Sequence, residues 1–183
     1  MPTEYRFYCP ELQREVSTAE CYDRGNTGRS CYGELCQHVE YAICMQIQEH
    51  LREAFGDRIS TMWNEADSTL TIRFHDHLTL EAYYDPLFRT IDFDAYLHIT
   101  HGHQFPAENV EGLVTIVEKL LNGGMAFVVQ PRWMLGGSLR LVTREELQAN
   151  WRKYTSGCRT RFIDGRGIYT KEEFRQATNN SLS

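Results

Sequence analysis

Between about Glu34 and Phe55 the apolar residues Leu35, Val39, Ala42, Ile43, Ile47, Leu51, Ala54 and Phe55 recur at steps of three and four. That is the period of one helix face, and Gly56 ends it. Beyond Gly56 the period falls to two. Residues 58–64 predict a first strand, Asn64 to Ser68 a turn, and 69–83 one long alternating strand. On that strand Leu70, Ile72, Phe74, Leu78, Leu80 and Ala82 share one face, and Thr71, Arg73, His75, His77, Thr79, Glu81 and Tyr83 the other. Tyr84-Asp85-Pro86 signals a turn. Ile91, Phe93, Ala95, Leu97 and Ile99 then alternate with Asp92, Asp94, Tyr96, His98 and Thr100, a strand over 90–100. A second helix is expected over 108–121, stopped at Gly123-Gly124, with strands over 125–130 and 138–142. Capping boxes at Thr143-Arg144-Glu145-Glu146 and Thr170-Lys171-Glu172-Glu173 open two further helices, the first running to about Tyr154.

These periods predict an α+β fold: an antiparallel sheet of about five to six strands packed on a long N-terminal helix and further helices. The expected organisation is a small cysteine-rich segment, 1–36, in which the capping pair Ser17 and Glu20 starts a short helical turn, and an α+β body, 37–183, with a basic C-terminal region. At 183 residues, 42% of them hydrophobic, the chain can bury a core. Its first residues, MPTEYRFYCPELQRE, have neither the basic nor the apolar region of a secretory signal. No stretch has the uninterrupted apolar length of a membrane helix. A cytoplasmic protein is expected.

The net charge of -6 conceals an asymmetry. Residues 132–183 carry ten basic and five acidic residues, a balance of +5, which leaves -11 for the rest. An acidic body repels a phosphate backbone, so direct nucleic-acid binding would have to run through the C-terminal quarter.

Cys9, Cys21, Cys31 and Cys36 form a group among glycine-rich turns, and four thiolates can close a tetrahedral shell around a structural zinc ion. Buried or free thiols are the alternative. His38 can replace one sulfur. Cys44, beside the apolar stripe of the first helix, and Cys158, in a loop, are expected to pack or to face solvent.

If the strands 69–83 and 90–100 pair across Asp85-Pro86, residues of opposite parity face one another, at sums near 171 or 173. Either register gathers His75, His77, His98, Arg73, Glu81, Asp92 and Asp94 on one polar sheet face. Such a face can be merely solvated, can supply ligands for a divalent metal, or can serve phosphoester chemistry. His77-Leu78-Thr79 and His98-Ile99-Thr100 each resemble the His-x-Thr element of the two-histidine phosphoesterases. That resemblance implies His77 and His98 as acid and base. In that family the elements lie farther apart, on two repeated halves, and this chain has neither the spacing nor a repeat. His101 and His103 are expected in a loop.

The chain has no nucleophile elbow, phosphate-binding glycine loop or His-Glu-x-x-His helix. The first expectation is therefore a non-enzymatic protein with a structural zinc. Its acidic residues Glu81, Asp85, Asp92 and Asp94, with Tyr96, would dock a basic partner, such as a nucleic-acid-binding protein. In charge and size this is similar to anti-restriction and anti-CRISPR inhibitors. The alternative is a metal-dependent or two-histidine phosphoesterase.

Overall fold

The computed structural model describes residues 4–26, 37–85, 88–97, 100–130, 138–156 and 159–180. The fold is α+β with antiparallel sheets. A hairpin of β1 (Arg6–Cys9) and β2 (Arg14–Ser17) leads into α1 (Thr18–Asn26) and then into the long helix α2 (Gln37–Phe55). The long helix is thus preceded by a folded unit. The capping pair at the start of α1 is formed, the Glu20 amide donating to Ser17 Oγ at 3.1 Å. Tyr5, Phe7, Cys9 and Val16 of the hairpin share one core with Val39, Ile43, Ile47 and Leu51 of α2.

Five strands follow, β3 (Ser60–Asn64), β4 (Thr69–Arg73), β5 (Leu78–Asp85), β6 (Thr90–Leu97) and β7 (Thr100–Pro106), which pair in chain order as an antiparallel meander. One face of this meander is apolar: Leu70, Ile72, Leu80, Ala82, Ile91, Phe93 and Ala95 are fully buried in the core that α2 also lines. Among the described residues, the side chains of the other face take no part in this core. At the edge strand β3, Gln48 Nε2 of α2 donates to the Thr61 carbonyl at 3.4 Å and to its hydroxyl at 3.1 Å.

The single strand expected over 69–83 is two strands. Phe74 N donates to Leu78 O at 3.0 Å, closing a tight hairpin over His75, Asp76 and His77. His75 has φ +29° there. The segment expected as a loop at His101 and His103 is β7, whose pairing with β6 shifts between Phe93 and Ala95. Asp94 Oδ1 accepts the Gln104 amide at 2.8 Å at this irregularity, and Gln104 has φ +57°.

Helix α3 (Val110–Asn122) is capped by Asn109, whose side chain accepts the Gly112 amide at 2.7 Å, and ends at Gly123 in the left-handed region, φ +70°. Only glycine takes that backbone without strain, and Gly123 is also where a neighbouring guanidinium lies close.

The strands read at 125–130 and 138–142 do not extend the first sheet. They are β8 (Met125–Gln130) and β9 (Ser138–Thr143), which join β10 (Arg161–Asp164) and β11 (Gly167–Tyr169) in a second sheet ordered β11-β10-β8-β9. The reason lies in β8, which is apolar on both sides. Phe127 and Val129 enter the main core, while Ala126 and Val128 enter a second one. That second core is completed by α4 (Arg144–Ala149), α5 (Trp151–Tyr154) and α6 (Lys171–Asn180), where Phe162 stacks between Trp151 and Phe174 at 5.5 and 4.6 Å. The helix expected from Thr143 to Tyr154 is interrupted at Asn150. The capping box at Thr170 forms fully, Thr170 and Glu173 bonding reciprocally; at Thr143 only the N-cap half forms, Oγ1 accepting the Glu146 amide, while the Glu146 carboxylate accepts from the Tyr154 hydroxyl. Among the described residues no helix is long and apolar enough to cross a membrane.

Candidate docking face of the five-stranded sheet

The uncovered face of the meander follows from its register. Across β3 to β7, Ser60, Arg73, Thr79, Tyr96 and His101 form one row. Met62, Thr71, Glu81 and Asp94 form the next, and Tyr83, Asp92 and Pro106 belong to a third. Asp85, opposite Thr90, ends the face. The β5–β6 pairs sum to 175. The parity expected from the sequence therefore holds, and the offset differs from both expected registers. Glu81, Asp85, Asp92, Asp94 and Tyr96 are brought together on this face. Among its described residues Arg73, at one end, is the single arginine or lysine.

Glu81 stands directly opposite Asp94. Like charges in that position oppose strand pairing. The consequences appear in neighbouring groups. Tyr83 is half-buried, and that burial, with Asp94, Asp92 and Asp85 around it, pushes its hydroxyl up to about 12. Burial first, and then Asp85 and Asp94, hold the Asp92 carboxyl above its ordinary value. Tyr96 is also raised, by desolvation and then by the nearby charge of Glu81. Its ring is 39% exposed and lies beside His101, centroids 6.3 Å apart and planes 23° from parallel. Met62, 61% exposed, adds an apolar spot to the same surface.

One acid missed from sequence lies beside the end of this face. Glu40 of α2 is 8% exposed; burial raises its pKa, Asp85 adds to the rise, and a hydrogen bond from Ser68 opposes it. The signal was present, since Glu40 falls three and seven residues before Ile43 and Ile47, on the apolar stripe itself.

His75 and His77 are not among the paired positions of this face. His75 and His77 occupy the β4–β5 turn, their rings 6.0 Å apart, and His77 Nε2 lies 3.1 Å from the carbonyl of Asp164 in the second sheet. Of the expected polar-face site of His75, His77 and His98, two members thus lie in this turn, and His98 lies outside the described residues. The turn that receives His77 holds a second feature missed from sequence. Asp164, fully buried, is gripped by Arg166. The run Asp164-Gly165-Arg166-Gly167 was a readable turn signal.

Of the cysteine quartet, Cys9 is 4% exposed in the main core and Cys21 packs partly buried against it. Cys31 and Cys36 lie outside the described residues, as does Cys158. Cys44 is buried in the core, its thiol pushed up to about 12 by burial and then by Glu40. Among the described residues no three His, Cys, Asp or Glu side chains are placed to hold a metal ion.

No protein-family model matches the chain, and no curated protein or solved structure matches it either.

Proposed function

We propose that this is a non-enzymatic docking protein whose uncovered sheet face receives a basic protein partner. The observation that carries the reading is the cross-strand pair of Glu81 and Asp94. Directly opposed carboxylates weaken a sheet, whereas Thr pairs or opposite charges strengthen it. With Asp85 and Asp92 on the same strands, the face trades pairing energy for a concentrated negative potential. Such a potential accelerates encounter with cations and disfavours acidic surfaces.

A partner that otherwise holds nucleic-acid phosphates presents the complementary charge, which is the logic of anti-restriction and anti-CRISPR inhibitors. The acidic body disfavours nucleic acid as the direct ligand. A structural zinc on Cys9, Cys21, Cys31 and Cys36, holding the N-terminal segment, belongs to the same reading on the strength of ligand type and clustering in the sequence.

The test compares wild type with Glu81→Gln/Asp92→Asn as bait in extract from the source cell, followed by association kinetics on the captured protein. The reading expects a captured protein that duplex DNA displaces, with an on-rate that falls steeply with salt for wild type and weakly for the variant. Equal on-rates and salt slopes would remove this face as the docking surface.

A further inference from the structure

Resting on the docking reading, we propose that the partner engages this face through arginine side chains and that lysine does not substitute for them. The face is an alternation of carboxylates and phenol rings rather than a patch of acids alone. Along β6, Asp92, Asp94 and Tyr96 occupy successive outward positions; along β5, Thr79, Glu81 and Tyr83 do so. Tyr83 is directly opposite Asp92, and Tyr96, opposite Thr79, is the diagonal cross-strand neighbour of Glu81. A planar cation lying over either ring therefore meets a carboxylate near the ring's edge.

A guanidinium is the cation that uses both features at once. It is planar, stacks on aromatic faces and forks to carboxylates with two parallel N–H groups. An ammonium is a compact, strongly hydrated point charge. The half-buried setting of Asp92 and Tyr83 penalises loss of that hydration more than it penalises a guanidinium. The exposed thioether of Met62, one strand beyond Thr71 in the row of Glu81 and Asp94, offers the stem of a long side chain an apolar rest.

A second copy of this chain is the competing occupant, because its C-terminal quarter is itself basic. The test uses two labelled peptides, an arginine-serine repeat and the matching lysine-serine repeat, with fluorescence anisotropy at physiological salt. The arginine peptide is expected to bind about tenfold tighter, the size of a desolvated cation–π contact together with a fork. Tyr96→Leu, at an exposed site, should remove most of that preference and leave the lysine affinity unchanged. Glu81→Gln/Asp92→Asn should weaken both peptides.

Equal binding of the two peptides to wild type, both weakened by Glu81→Gln/Asp92→Asn, would overturn the arginine assignment and leave the docking reading standing. Indifference of both peptides to that double variant, or no binding of either, would overturn the docking reading as well. Sedimentation showing self-association of the protein alone, abolished by the double variant, would give the face to a second copy and overturn the proposal.

Discussion

Arg166 holds the carboxylate of Asp164 from two residues away, with Nη2 at 2.7 Å and Nε at 3.1 Å from Oδ2, while its backbone amide takes Oδ1 at 2.8 Å. Asp164 is wholly buried and the Arg166 side chain is one-third exposed. Removing the cation strands a buried charge, and breaking such a pair costs about 3–5 kcal/mol when both members are buried. Arg166→Ala should lose about 3 kcal/mol, the lower end, because water reaches the guanidinium. Asp164→Asn/Arg166→Met should lose less than Arg166→Ala alone, a non-additivity that urea unfolding of the four members of the cycle would measure.

The same guanidinium lies over the end of α3. A Cβ on Gly123 would come within 2.0 Å of Arg166 Nη2, at a position with φ +70°. Gly123→Ala should therefore cost more than the roughly 1–2 kcal/mol of a left-handed alanine, and the excess should vanish in an Arg166→Ala background. Gly124→Ala meets only ordinary contacts, the nearest at 3.5 Å, and should change the midpoint of thermal unfolding little.

Asp92 and Glu40 both hold their protons above the ordinary carboxylate range, mainly through burial. A carboxyl raised on folding leaves the native state with more bound protons, so stability falls as pH rises from the unfolded to the folded pKa. Asp92→Asn and Glu40→Gln should each flatten that fall, and their advantage over wild type should grow with pH across the window. Tyr83 predicts a second decline between its ordinary 10.0 and about 12, absent in Tyr83→Phe. Glu20 acts oppositely, held down by Arg14, so its contribution is lost as pH falls through its lowered folded value. Denaturant unfolding across pH separates these windows.

At the β4–β5 turn, His75 stands at φ +29° and His77 bonds to the second sheet. His75→Gly should be neutral or stabilising, because glycine takes that backbone without strain. His77→Ala should cost about 1 kcal/mol, the net worth of one hydrogen bond. Guanidinium denaturation curves of the two variants should move in opposite directions or leave only His77→Ala displaced.

With the cysteine quartet on zinc, the purified protein should carry about one zinc per chain, and Cys31→Ser/Cys36→Ser should lose it. Cys44→Ser should keep the metal, since Cys44 lies on α2 outside that quartet. Elemental analysis showing metal-free wild type would end the zinc proposal.

The long helix and α3 were legible because each keeps one period and ends at a glycine, and β8 because it is an unbroken apolar run opened by Gly124. The hairpin at His75 was not, and its geometry says why. Phe74 and Leu78 close three intervening residues, so β4 and β5 pair even number with even, as Leu80 with Ile72 does. Alternation thus runs through the turn unbroken, without glycine or proline to mark it. At the next turn, Asp85 pairs with Thr90 and the parity flips, which Asp85-Pro86 did announce. The acidic face was readable from that parity alone. Its register was not, because parity leaves the offset free. β10 and β11, at four and three residues, are too short to show a period.

Gln48 holding the Thr61 carbonyl has a wider consequence. A row of unsatisfied amides at a sheet's rim is a template on which a foreign strand, or an identical one, can crystallise. Here a helix side chain occupies an acceptor in the middle of that rim. That bond removes one acceptor from the rim and makes it a poorer template for a further strand. Recognition is thereby steered to the broad side of the strands, where side chains rather than main chain choose the visitor.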